Sequence, residues 1–315
     1  MADRLYIVIP CYNEQEVLPQ TVACLQEKMA TFVAAGKVSA NSRILLVDDG
    51  SRDETWNMIL EYHRLDPVVS GLKLSRNKGH QNALLAGLMA VRELADVTIS
   101  MDADLQDDIG VMDGFLGKYA EGCEVVYGVR CSRGTDTAFK RGTAQGFYKL
   151  MNKMGVNIVY NHADCRLMSK RALEGLAQYR EVNLFLRGIV PLIGYKTATV
   201  EYERGERAAG ESKYPLKKML AFAIDGITSF STRPIRLITL LGFLICAISF
   251  ALMLYVLFAK LFGYTVPGWS TLMGSIWMLG GLQLLALGVI GEYIGKIYTE
   301  VKARPKYHVE TLLDQ

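Results

Sequence analysis

Residues 98–108 read TISMDADLQDD. The stretch opens as a strand, in which Val97 and Ile99 face a core, and it closes on four aspartates within seven residues, Asp102, Asp104, Asp107 and Asp108. Unpartnered carboxylates are costly beside a core, so a buried strand that runs straight into this much negative charge needs something positive at its end.

The surrounding chain sets that strand in a repeating pattern. LYIVIP (5–10) is a short apolar strand followed by a helix over about 16–35, and RILLVDDGS (43–51) is a second strand followed by a helix from Asp53 to His63. GLKLS (71–75), DVTISMD (96–102) and EVVYGVR (124–130) are three more strands, with a helix over about 79–94 between the first two of them. Strands separated by helices imply βαβ units and a parallel sheet, in which ligands bind outside the carboxyl ends of the strands. Those ends carry Pro10 to Glu14, Asp48 and Asp49, Arg76 and Asn77, Asp102 to Gln106, and Arg130. Asp107 and Asp108 read as the first residues of the next helix, where negative charge meets the helix dipole.

Half of the 315 residues are hydrophobic, and they are unevenly spread. No charge occurs from Leu237 to Ala259 or from Leu261 to Gly291. About 20 apolar residues suffice to cross a bilayer, so spans are expected at about 237–259 and 269–290. Arg233 and Arg236 precede the first, Lys296, Lys302, Arg304 and Lys306 follow the second, and only Lys260 lies between. The positive-inside rule then puts both termini and the N-terminal domain on the cytoplasmic side of a plasma (inner) membrane, with a cytosolic C-terminal tail. MADRLYIVIPCYNE lacks a signal-peptide pattern. Before the spans, apolar residues at 216, 219, 220, 223, 224, 227 and 230 form a helical stripe, read as an interfacial helix over 213–233 with its lysines near anionic lipid. The expected organisation is a 1–212 α/β domain, the 213–233 juxtamembrane region and a 234–315 membrane region. Small residues in GGLQLLALGVIGEYIG (280–295) leave room for a homo-oligomer. Six cysteines without C-x-x-C spacing read as free thiols, and a net charge of +3 gives no argument for a nucleic-acid partner.

The D-x-D of Asp102 and Asp104 can turn two carboxylates toward one hard divalent cation, with Gln106 adding a carbonyl or a water contact. Neither a P-loop nor a G-x-G-x-x-G follows the first strand, so nucleotide binding of those kinds loses its support.

In order, IPCYNE (9–14), VDDGSRDET (47–55), RNKGHQNALLAG (76–87) and DADLQ (102–106) resemble the inverting family-2 glycosyltransferases of the GT-A fold. ADCRLMSKRAL (163–173), the R-x-x-G-x-S-K run from Arg207 to Lys213, and GEYIGKIYTEVKARPKY (291–307) narrow the resemblance to polyprenyl-phosphate glycosyltransferases. That group includes dolichol-phosphate mannose synthases and the bacterial enzymes that load undecaprenyl phosphate with glucose or N-acetylglucosamine. The resemblance implies a nucleotide-sugar donor, UDP-linked rather than GDP-mannose, a polyprenyl-phosphate acceptor and Mg²⁺ or Mn²⁺. It casts Pro10, Tyr12 and Glu14 as lining the nucleoside, with Asp48 and Asp49 accepting from base or ribose. Asp102, Asp104 and Gln106 would hold the metal, Arg130 would lie near the donor sugar, and Arg207, Ser212 and Lys213 would grip the lipid phosphate. Asp164 takes the place of the family's catalytic base, with Ala163 and Cys165 departing from its usual neighbours. A phosphate monoester with a second pKa of about 6 needs little proton removal, so Asp164 equally reads as an orienting group. NLFLRG, with Arg187, stands where processive relatives carry Q-x-x-R-W, which implies a single transfer. The residues alone leave open transfer to another glycolipid, and a membrane-tethered nucleotide-sugar sensor without turnover.

Overall fold

The computed structural model describes residues 2–130, 162–203, 232–261 and 268–314. Arg207, Ser212, Lys213 and the 213–233 helix lie outside the described residues, as does the side chain of Arg130. The chain divides into two units, one holding the α/β sheet together with Arg304–Gln315 and the other the long helices.

In the first unit the strands are β1 (Leu5–Cys11), β2 (Arg43–Asp48), β3 (Val69–Leu74), β4 (Val97–Ser100), β5 (Val125–Arg130), β6 (His162–Ser169), β7 (Thr197–Tyr202) and β8 (Val309–Leu313). The helices are α1 (Leu18–Ala34), α2 (Thr55–Leu65), α3 (His80–Ala90), α4 (Val111–Ala120), α5 (Lys170–Ala177) and α6 (Leu186–Leu192). They surround one eight-stranded sheet of order β7-β5-β6-β4-β1-β2-β3-β8. Every residue of β1 and β4 is buried, which is why these strands read as unbroken apolar runs rather than alternating ones. α1 turns Leu18, Val22, Leu25, Met29 and Phe32 inward at spacings of three and four. α3 lies close on the sheet because Gly87 has no side chain: a Cβ there would come within 2.5 Å of Val8 and 2.7 Å of Val47.

From β1 the chain moves outward through the parallel neighbours β2 and β3, then returns to place β4 parallel on β1's other side. That reversal is a topological switch point, and the ligand crevice of an open α/β sheet lies there. β1 and β4 are paired up to Val8 and Ser100 and then part, and Pro10, which has no N–H to offer, stands just past the separation.

Three features depart from the sequence-based expectation. β6 is inserted antiparallel between β4 and β5, so the sheet is mostly but not wholly parallel. α4 starts at Val111, so Asp107 and Asp108 precede it: Asp108 accepts from the Gly110 amide, and buried Asp107 accepts a 2.6 Å bond from the Tyr202 hydroxyl. The C-terminal residues are no free tail. β8 pairs antiparallel with β3 and covers the edge of the sheet. Asp314 then accepts from the Tyr6 and Ser70 hydroxyls, each at 3.0 Å, and this proximity together with burial pushes the Tyr6 pKa up to about 12. Asp314→Ala should cost about 1–3 kcal/mol by stranding buried hydroxyls. Hydrogen exchange would show it as faster exchange confined to β3 and β8, and unchanged protection there would remove this anchor.

In the second unit, α7 (Arg233–Leu261) and α8 (Trp269–Lys302) contain 29 and 34 residues. Both expected membrane stretches are therefore helical. Among the described residues one segment, Met278–Lys302, is long and apolar enough to cross a membrane, and it continues past the expected end near residue 290.

Candidate active site

The loops after β1 and β2 are bound to each other. The Asn13 amide donates to Ser51 Oγ and the Arg52 amide to Asn13 Oδ1, while the Glu14 amide donates to Thr55 Oγ1. Gln15 and Asp53 continue the pattern. This is the physical content of the YNE and GSRDET motifs: short polar side chains cap the amides of a neighbouring loop. Asp48 and Asp49 belong to that framework. Asp48 is fully buried, and its Oδ1 accepts from the Ser51 amide at 3.1 Å. Asp49 accepts from the Lys78 and Gly79 amides at 2.7 and 2.8 Å. Gly50 has φ +66°, and a Cβ on it would sit 2.6 Å from the Arg76–Asn77 backbone, so only glycine fits. Burial raises the pKa of both aspartates. Expected at the base or ribose, this acid pair is instead turned to backbone amides, while Tyr12 is exposed.

At the end of β4, Thr21 Oγ1 donates to the Ala103 carbonyl at 2.6 Å and pins the DADLQ loop to α1. Leu105 is left-handed at φ +52°, an uncommon conformation for leucine of the kind found at functional loops. The Gln106 amide donates to Asp104 Oδ1, and the Gln106 side chain is buried.

Asp102 meets two residues from other elements. His80, the first residue of α3, places Nε2 3.5 Å from Asp102 Oδ1 and 3.6 Å from Asp164 Oδ2. Asp164, on β6, is gripped by Arg187 from α6 through two parallel bonds of 3.0 and 2.9 Å. Arg166 adds a third at 3.0 Å from behind. The Arg166 side chain is 1% exposed, and its Nη1 has no hydrogen-bond partner. The Leu186 amide donates to Gln81 Oε1, which ties the start of α6 to α3. The expected metal set of Asp102, Asp104 and Gln106 is thus not the group gathered here. Among the described residues the three-donor cluster is His80, Asp102 and Asp164, with Asp104 outside it. His80 was overlooked in the sequence, although it follows a glycine at a helix start within a motif already singled out. Arg187 was noted only for the motif it does not complete.

The profile of Glycosyl transferase family 2 matches residues 6–176, which contain β1 through β6 and this cluster. The chain belongs to glycosyl transferase family 2. A Bacillus subtilis (strain 168) protein named "Uncharacterized glycosyltransferase YkoT" is 56% identical over 306 residues, covering 97% of this chain and 91% of its own. The SfII prophage-derived bactoprenol glucosyl transferase of Shigella flexneri is 41% identical over 312 residues, covering 98% of this chain and 97% of its own. Among solved structures, mannosyl-3-phosphoglycerate synthase from Rubrobacter xylanophilus aligns with TM-score 0.47 and 16% identity over 71% of either chain.

The electrostatics of this family-2 glycosyltransferase divide its two central carboxylates. Burial alone would raise the Asp164 pKa, but the contacts with His80, Arg187 and Arg166 outweigh it and hold the group well below the carboxylate range. Such a carboxylate is a weak proton acceptor and a strong fixed charge. Asp102 goes the other way: burial, reinforced by Asp164, Asp107 and Asp104, pushes it up to about 6 despite His80. Burial disfavours a charged His80, yet Asp164 and Asp102 outweigh that and raise its pKa. An imidazole and two carboxylates, one of them short of positive charge, fit a divalent cation.

Proposed function

We propose that this glycosyltransferase moves one sugar, glucose or N-acetylglucosamine, from a UDP-linked donor to polyprenyl (undecaprenyl) phosphate, with inversion at the anomeric carbon. The observation that carries the reading is the 41% identity to a bactoprenol glucosyl transferase over 98% of this chain, helices and C-terminal strand included. In this reading the nucleoside lies against Pro10, Tyr12 and Glu14, in a loop whose shape Asp48 and Asp49 set. Arg130 ends β5 on the donor-sugar side, and Asp102, Asp104 and Gln106 face the diphosphate. A bound Mg²⁺ or Mn²⁺ supplies charge neutralisation at the departing diphosphate. Asp164, locked by two arginines, orients the sugar or the acceptor and takes no proton, because the lipid phosphate already arrives charged. Arg207 and Lys213, with Ser212, grip that phosphate: arginine does so through two points, and lysine adds a compact charge.

The same reading puts two spans in the inner membrane, with the α/β unit and both termini in the cytoplasm. The return of β8 to β3 supports an even number of crossings, because the chain leaves the sheet after β7 and rejoins it after α8. α7 and α8 therefore cross together or not at all.

Purified enzyme given UDP-glucose or UDP-N-acetylglucosamine and undecaprenyl phosphate should release UDP only when the lipid is present, and mass spectrometry should find the lipid heavier by one sugar. UDP release that ignores the lipid, or none with either donor, rejects the reading. Arg207→Ala should raise the KM for the lipid about tenfold or more, the loss of one charge-assisted contact, with donor affinity little changed. Equal losses on both substrates would remove Arg207 from the acceptor side.

A further inference from the structure

The spacing of His80, Asp102 and Asp164 differs from that of an ordinary ion pair. His80 Nε2 is 3.5 Å from one carboxylate oxygen and 3.6 Å from the other, beyond the roughly 2.7–3.2 Å of a good N–H···O bond. All three donor atoms nevertheless fall within 4.8 Å of one another. Donors about 2.1 Å from a shared cation, at angles from about 90° to about 118°, stand roughly 3.0–3.6 Å apart. The imidazole is held where a second ligand of one ion would be.

We propose that His80 Nε2 and one carboxylate oxygen each from Asp102 and Asp164 form a three-point site for a transition-series divalent cation, with the histidine nitrogen as the ligand that sets metal preference. The inference rests on the metal-dependent transfer reading above and adds to it the identity of the donor set.

Each donor is fixed from behind. Asp49, itself buried, holds the Lys78 and Gly79 amides immediately before His80, and Gly79 at φ +86° opens the helix that carries the ring. Asp164 is aimed by the Arg187 fork and by Arg166, while Ser100 Oγ donates to its carbonyl at 2.8 Å. Partners of this kind orient ligands and are a regular part of metal sites. In front the site is open, with the His80 and Asp102 side chains 42% and 34% exposed. Phosphate oxygens and water can therefore complete the coordination, as a cation on a diphosphate requires. Imidazole suits Mn²⁺ and later transition ions, whereas Mg²⁺ favours oxygen alone, so this site prefers Mn²⁺ to Mg²⁺.

The test uses the full-length, tag-free protein in detergent with Mn²⁺ and UDP, observed by electron spin-echo envelope modulation. Wild type should show the ¹⁴N modulation of a directly bound imidazole, and His80→Gln should lose it. The variant should also bind Mn²⁺ at least about tenfold more weakly, the lower end of what disturbing a metal's supporting shell costs, with Mg²⁺ binding less affected. Bound Mn²⁺ without nitrogen coupling, or equal coupling in the variant, overturns this donor set. Lipid-dependent UDP release from the same preparation then shows separately whether the transfer reading stands. A wild-type protein that binds no Mn²⁺ overturns the site and the metal assignment together.

Discussion

Asp164→Asn will lower the thermal unfolding midpoint of the purified protein before any question of rate arises. The side chain is the common acceptor of buried Arg166 and half-buried Arg187. Removing its charge leaves a guanidinium at 1% exposure with nothing to neutralise it. Breaking a buried pair from one side costs on the order of 3–5 kcal/mol, and at roughly 2–4 °C per kcal/mol for a domain of this size the midpoint should fall by about 6–20 °C. The pH dependence follows from the sign of the shift. Asp164 is depressed below its ordinary 3.8 when folded, so its contribution is complete above that value and is lost only as pH falls toward the folded pKa. The gap between wild type and variant should therefore be constant from pH 5 to 8 and close below pH 4. Asp164→Asn combined with Arg166→Met should recover much of the loss, since replacing both members of a buried pair by apolar groups is often neutral. An unchanged midpoint in the single variant, measured by circular dichroism, would mean that Arg166 is neutralised by something other than Asp164.

That pair also marks where the sequence stops being readable. β1 and β4 are buried along their whole length, and this leaves an apolar signature that any strand-based reading finds. β6 lies deeper in the sheet, yet its HADCRLMS carries two charged residues that are satisfied only by each other and by Arg187, 23 residues from Asp164. Burial paid for by a distant partner leaves no local pattern. β8 is five residues behind a 34-residue helix and gains its meaning only from the open edge of β3. At the site, the D-x-D pointed to Asp102 correctly as part of a cation-suited cluster. It could not say that Asp104 faces its own loop while a histidine from α3 takes the third place. Asp48 and Asp49 show the converse limit. An acid at a strand end can turn toward the crevice or toward the amides of the next loop, and the choice depends on where residues 78 and 79 run.

Asp102→Asn should behave oppositely to Asp164→Asn, losing activity without losing stability. Burial raises the Asp102 pKa to about 6 from 3.8, so in metal-free protein the fold disfavours its charged form. An acid raised on folding binds its proton more tightly in the native state, and stability then declines as pH rises through the interval between the two values. Asparagine cannot ionise and removes that decline. Metal-free wild type and variant should melt alike near pH 4, and by pH 7.5 the variant should melt no lower than wild type, and higher if the surroundings stay as they are. Transfer, in contrast, should drop at least about 100-fold, because charge neutralisation by a bound metal is worth several kcal/mol in the transition state. Such a trade of stability for function is expected where a carboxylate is kept short of a counter-charge until its ligand arrives. Paired melting curves at the two pH values and a lipid-dependent UDP-release assay decide the matter. A variant that melts well below wild type at pH 7.5 makes Asp102 a structural ion-pair member, and one that turns over normally takes it out of the metal site.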